Sequence, residues 1–307
     1  MGSLSTREAY GQALATLGET NEFMVLDADL SKATQTVAFA KKFPERFFNI
    51  GIAEGDMMTT AAGMATTGKT VFASTFAMFA AGRAYEQIRN SIAYTGLNVK
   101  IGATHGGILI GEDGASHQCI EDISLMRTIP NMTVIVPCDE SSVYEAVKAS
   151  IEYDGPVYLR FGRMSSEPVY TKETAKFEIG KGNVLKDGTD VTIIAIGDLV
   201  AEALKAAQEL EEQGVSAAVI DMASVKPIDK ALVLEYAEKT GKIITAEDHN
   251  IIGGLGSAVA EILAEESDAK LRRVGARDEF GGSGPRAVLM EAYKLNTIGI
   301  LEAYQTF

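Results

Sequence analysis

Two of the three histidines in 307 residues, His105 and His117, fall within one stretch, residues 102–122, GATHGGILIGEDGASHQCIED. Glu112 and Asp113 lie between them, and five glycines surround them. Imidazoles and carboxylates are the groups that move protons or read hydroxyls near neutral pH, and flexible backbone lets them converge on a ligand. The stretch follows an apolar run at 99–103 that reads as a strand, so it is expected to be a site-forming loop at a strand end. Spacing narrows the chemistry. Asp113 and His117 stand eight and twelve positions after His105, which matches no local metal-ligand pattern, and GxSxG is absent. Hydrogen bonding to a polyhydroxylated or phosphorylated substrate fits better than a metal site or a serine-hydrolase triad.

Other candidates stand at other strand ends. Glu54, in GIAEGDMM, follows a strand-like run and opens a helical one, which puts its carboxylate where open α/β sheets bind ligands. A carboxylate at a helix N-terminus is also an ordinary stabilising feature. Phe76 and Phe79 follow strand 70–74, and three apart they fall on one helix face, either as core or placed to receive a planar ring. The string Ile252-Gly253-Gly254-Leu255-Gly256-Ser257 invites a dinucleotide reading but lacks the full GxGxxG and the first βα unit it requires. His249, beside Asp248, reads as structural.

The elements that must position these residues alternate. Helical segments at 5–18, 54–67, 76–94, 120–128 and 139–152 separate strand-like runs at 23–27, 47–50, 70–74, 99–103, 132–137 and 156–160. Unbroken apolar strands such as Thr133-Val134-Ile135-Val136 indicate a parallel sheet covered on both faces. Residues 162–189 break the rhythm, and the alternation restarts at 191–196 and continues to 271–274. The expected class is α/β with two doubly wound domains: 1–170, a linker at 171–189, and a smaller domain at 190–307.

Composition limits the partners. The net charge of −14, from 42 acidic against 28 basic residues, opposes nucleic acid and anionic lipid. No run approaches 18 uninterrupted apolar residues, so no membrane span is expected. Cys119 and Cys138 are too few and too far apart for a disulfide framework or zinc ribbon, and fit a cytoplasmic protein. Met1-Gly2 with Thr6 matches an N-myristoylation pattern, but Ser5-Thr6-Arg7-Glu8 equally fits a capping box opening the first helix.

Taken in order, DADLSKATQT, FFNIGIAEGDMM, FASTFAMFAAGRAYEQIRNSIAY, THGGILIGEDGASHQCIEDI, MRTIPNMTVIVPCDE, DGPVYLRFGR and EDHNIIGGLGSAVAE resemble the C-terminal half of transketolase, and specifically the separate C-terminal subunit of split transketolases. They span most of the chain. The resemblance implies a pyrimidine-binding domain and a transketolase C-terminal domain, working with thiamine diphosphate.

By that resemblance, Glu54 hydrogen-bonds the ring nitrogen of the cofactor's aminopyrimidine, favouring the tautomer that removes the thiazolium proton, and Phe76 and Phe79 pack around the ring. A third aromatic of full-length transketolases would fall at Gly82. His117 and Asp113 match residues that contact the sugar's hydroxyls, and Arg7, His105 and Arg163 match residues that hold its phosphate. Asp29 matches an acid near the cofactor and subunit interface. Ala33 stands where a serine usually helps bind phosphate, so recognition of phosphate or of the sugar is expected to differ.

A GDG motif with a later asparagine is absent. The resemblance therefore implies that an N-terminal transketolase subunit carries it and holds the diphosphate with Mg2+ (or Ca2+), in an α2β2 heterotetramer. The implied activity is a transferase reaction of the pentose phosphate type, passing a two-carbon ketol unit from a ketose phosphate to an aldose phosphate. A transketolase specialised for another sugar, deoxyxylulose-phosphate synthase, the β subunit of a 2-oxo acid dehydrogenase and a non-catalytic binding partner remain alternatives.

Overall fold

Seven strands form the larger sheet of the computed structural model, which describes residues 4–307. The start at Met1-Gly2 lies outside the described residues. In chain order the strands are β1 (Phe23–Asp27), β2 (Phe47–Asn49), β3 (Thr70–Phe76), β4 (Val99–Thr104), β5 (Thr133–Ile135) and β6 (Val157–Arg160), then in the second half β7 (Asn183–Lys186), β8 (Val191–Ala195), β9 (Ala217–Asp221), β10 (Ser224–Lys226), β11 (Lys242–Asn250) and β12 (Lys270–Ala276). The larger sheet runs β10-β5-β6-β4-β3-β1-β2 and the smaller one β12-β11-β8-β9-β7. Both are parallel except at one edge strand each, β10 against β5 and β7 against β9. The chain is thus two α/β domains with parallel-dominated sheets.

Two strands depart from the sequence expectation. β10 lies beyond residue 190 in the chain, yet it pairs with Ile135 and Val134 of the first sheet. β7 forms the last part of the segment expected to be a linker, yet it belongs to the second sheet. Both are short edges whose pairing is decided by distant partners, which a local pattern does not encode.

Burial follows the strands. β3 and β4 are buried at nearly every position, as strands covered on both faces must be. On one face Tyr10, Leu14, Phe23, Phe39, Phe72 and Phe161 form an aromatic-rich layer under the helix Thr6–Leu17. That helix opens with the expected capping box, Ser5 accepting from the Glu8 N–H and Glu8 accepting from the Ser5 N–H. The opposite face shares one continuous core with the second domain, from Met57 and Ile101 through to Ile194 and Leu255. No helix among the described residues is long and apolar enough to cross a membrane.

The segment after β3 also differs from expectation. Phe76 is the last strand residue rather than the first of a helix, and the run that follows contains two π-helical pieces, Phe79–Arg83 and Ile88–Ala93. Such wide turns interrupt helices most often near functional sites.

Candidate functional site

The C-terminal ends of β1, β2, β3, β4 and β6 face the same edge of the larger sheet, and the candidate residues follow them there. Glu54 opens the helix Glu54–Ala65, three residues after Gly51, whose φ of +83° turns the chain away from β2. Its side chain is nearly buried, at 4% exposure, and lies 3.1 Å from Arg83 Nη1. Arg83 also stacks 4.0 Å from the ring centroid of Phe79. Sequence reasoning missed Arg83. Its position four residues after Phe79 was the available signal, since side chains so spaced share a helical face.

From Phe79 the contacts continue unbroken. Its ring stacks on Phe76 at 5.5 Å, and Phe76 stacks on His105 at 3.8 Å. The two rings therefore meet across the turn between strand and helix, not along one helix face. His117 approaches both edge-on, 5.6 Å from Phe79 and 6.2 Å from Phe76.

His105 follows β4 directly, in a left-handed conformation (φ +59°) that costs energy for a non-glycine residue and is typical of over-determined sites. Arg7 Nη1 lies 3.4 Å from its Nε2, and Thr104 Oγ1 lies 2.9 Å from its Nδ1. A guanidinium can only donate, so Nε2 is the acceptor and Nδ1 carries the proton. Burial first, then the charges of Arg7 and Arg163, push this imidazole down to about 3, so the ring is neutral. In that state His105 can take part as a hydrogen-bonding group but carries no charge.

Arg7 and Arg163 are the guanidiniums next to His105. Arg7 donates from Nε to the Arg163 carbonyl at 3.1 Å and from Nη1 to the Ala33 carbonyl at 2.9 Å. Ala33, which has no hydroxyl to offer, thus contributes its backbone carbonyl. Burial and the neighbouring Arg163 lower the proton affinity of Arg7, against the weaker opposing pull of Glu8 and Asp113. Arg163 lies 3.4 Å from Asp113 and 3.8 Å from Glu112.

One expected residue stands apart. Asp29 lies past the end of β1, with an exposed carboxylate that accepts from Asn49 Nδ2 at 2.9 Å, and it does not join the run from Glu54 to Asp113.

In the second domain, the glycine string and His249 are both bonded within the chain itself. The helix opened by the 252–257 glycine string is capped by the chain's own Glu247, which accepts from the Leu255 and Gly256 N–H groups at 2.7 and 2.8 Å. A Cβ at Gly254 would sit 2.0 Å from that carboxylate. His249 is fully buried, donates from Nδ1 to the Asn250 carbonyl at 2.7 Å, and is lowered to about 4 by burial.

This geometry coincides with what the sequence is similar to. Residues 2–168 match the model of the transketolase pyrimidine-binding domain, and residues 180–300 that of the transketolase C-terminal domain. The chain belongs to the transketolase family. It is 54% identical over 293 residues to a protein of Methanocaldococcus jannaschii named as a transketolase C-terminal section, covering 94% of this chain and 92% of the relative. It is 42% identical to the 6-deoxy-6-sulfo-D-fructose transketolase subunit of Clostridium sp., covering 97% and 92%. Among solved structures, a split-gene transketolase described as an inactive β4 tetramer superimposes with a TM-score of 0.92 at 54% identity, covering 99% of this chain and 98% of the other.

The family implies thiamine diphosphate, and the residues present suit one half of it. A nearly buried carboxylate stands beside a stacked aromatic pair, the surroundings an aminopyrimidine needs for one hydrogen bond and two apolar faces.

Proposed function

We propose that this chain is the C-terminal subunit of a split transketolase, active when an N-terminal subunit supplies the GDG…N motif that binds diphosphate and Mg2+, in an α2β2 heterotetramer. The observation that carries the reading is the unbroken run from Glu54 through Arg83, Phe79, Phe76, His105, Arg7 and Arg163 to Asp113. A carboxylate lies at one end of this run, aromatic rings in the middle and two guanidiniums at the other. Thiamine diphosphate, when bound, supplies a nucleophilic carbon and an electron sink for cleaving a ketose beside its carbonyl.

The chain's own residues do the rest. Glu54 holds a proton at the pyrimidine nitrogen, while Phe76 and Phe79 exclude water and fix the ring plane. His117 and Asp113 hydrogen-bond the sugar's hydroxyls and set its orientation. Arg7 and Arg163 anchor an anionic far end, which would be the first close counter-charge of Arg7. A phosphate fits, and so does a sulfonate, the group named for the Clostridium relative. Asp29 is assigned to the rim with the partner subunit.

The open side of the site supports a partner. Arg83 is 53% exposed, and Ile52, two residues before Glu54, is an apolar side chain 77% exposed that another chain would cover. Two free buried thiols, Cys119 and Cys138, suit a reducing cytoplasm. The test is reconstitution. Mixed with an N-terminal subunit carrying GDG…N, the chain should transfer a two-carbon unit from a ketose phosphate to an aldose phosphate, and neither chain should do so alone. Failure of every saturating donor and acceptor pair in the reconstituted complex would overturn the reading.

A further inference from the structure

The loop that carries Asp113 and His117 is held by its own domain through Arg163, which reaches Asp113 and the Ile110 carbonyl, and by the second domain as well. Its base is pinched where Gly107 and Cys119 form an antiparallel bridge, the Gly107 N–H donating to the Cys119 carbonyl at 2.7 Å. Just inside that pinch, both oxygens of Asp248 are committed to the loop, accepting from the Ile108 and Leu109 N–H groups at 2.8 and 3.1 Å. Gly107 (φ +90°) packs so closely on Asp248 that a Cβ would sit 1.9 Å from its carboxylate. Ile108 and Leu109 are buried in the second domain's core beside Leu199, Ala246 and Leu289.

Two further contacts grip the loop from the segment after β12. Gln118 Nε2 donates to the Gly282 carbonyl at 2.9 Å and to the Ile108 carbonyl at 3.0 Å. The Ser283 hydroxyl donates to the Glu112 carbonyl at 2.6 Å. Glu112 and Gln118 are the immediate neighbours of Asp113 and His117, so each candidate sugar contact is flanked by a bond to the second domain.

We infer that the second domain is the clamp of the sugar-binding loop, with Asp248 as its main positioning residue and the Gly282–Ser283 turn as its second jaw. Asp248 is buried, with both carboxylate oxygens taken up by the loop backbone. It acts by fixing where Asp113 and His117 stand, and Arg160 fixes Asp248 in turn by donating to its carbonyl at 2.9 Å. The catalytic consequence rests on the sugar roles proposed above for Asp113 and His117; the clamp itself does not.

The experiment separates the two. Amide hydrogen exchange on the isolated chain should show that Asp248→Asn, which keeps the shape but replaces one acceptor oxygen with a donor, speeds exchange at residues 106–118 by about tenfold. Exchange in β3 and β8 should be unchanged. Ser283→Ala removes only a surface hydroxyl and should speed exchange at 112–117 about twofold. In the reconstituted enzyme, Asp248→Asn should raise KM for the ketose donor about tenfold while cofactor retention stays at the wild-type level. Should Asp248→Asn fail to fold, the Ser283→Ala exchange decides. Unchanged loop exchange in the variants that fold overturns the clamp. Faster exchange with an unchanged KM upholds the clamp and instead overturns the sugar roles of Asp113 and His117.

Discussion

Arg83 lies 3.1 Å from Glu54 and at the same time covers the ring of Phe79, so one guanidinium ties the site's most buried acid to its aromatic pair. On the proposed reading, that places the carboxylate close to the rings that would flank the cofactor's pyrimidine. Glu54→Gln keeps the shape but cannot exchange a proton. Turnover of the reconstituted complex should fall by about 10²–10⁴-fold, the usual worth of one proton-transferring group. Melting of the isolated chain should hardly change. A loss below tenfold in steady-state rate would remove Glu54 from proton work.

Arg7 and Arg163 make a second expectation quantitative. Arg7 has backbone carbonyl partners and, among the described residues, no carboxylate in direct contact, with Glu8 and Asp113 acting on it only from further away, so a substrate anion would be its first close counter-charge. Arg7→Ala should raise KM for phosphorylated donors by about 10–100-fold, in line with one charge-assisted hydrogen bond, and leave KM for unphosphorylated ketoses within about threefold. Equal effects on both would assign Arg7 to the fold alone.

The legible part of this protein was whatever depends on local pattern. Unbroken apolar runs marked the parallel strands, Ser5 and Glu8 marked the first helix start, and glycines around scarce histidines marked the loop. The illegible part depends on distant partners. Phe76 ends a strand because β4 and β3 extend together, while the sequence FASTFAMF contains no glycine or proline to mark the turn. Ser224–Lys226 pairs with a strand some ninety positions earlier, which three residues cannot announce. Arg83 was hidden because an exposed arginine on a helix is ordinary until its partner is seen. The charge state of His105 was hidden because it follows from burial beside two arginines.

That imidazole gives a pH prediction. Its folded value is depressed to about 3, against an ordinary histidine near 6.5 in the unfolded chain, with burial as the first cause. The unfolded state therefore binds the extra proton first, so this contribution to stability is present above about pH 6.5 and is lost as pH falls toward about 3. Nitrogen-15 NMR of the histidines should show His105 still neutral at pH 5, with the proton on Nδ1. His105→Gln should shrink the fall in stability between pH 6.5 and 4. A ring that titrates near 6.5 would contradict the buried geometry.

Asp221 works in the opposite direction. It ends β9 with 1% exposure, accepting from the Tyr170 hydroxyl at 2.8 Å, while its second oxygen is buried without a partner. Burial, helped by nearby Asp139, pushes its carboxyl up to about 7. With an unfolded value near 3.9, the folded state holds the proton longer, so the contribution is fully present below about pH 4 and lost as pH rises through 7. Asp221→Asn keeps an acceptor for Tyr170 and removes the group that must ionise in an apolar setting. Urea unfolding should therefore find the variant gaining on the wild type between pH 5 and 8, by an amount on the order of 2–3 kcal/mol. The gain should come with looser coupling of pH to the segment around Tyr170, whose backbone N–H donates to Asp139 beside it. A difference between variant and wild type that stays constant across that range would mean that Asp221 is ionised in the fold throughout.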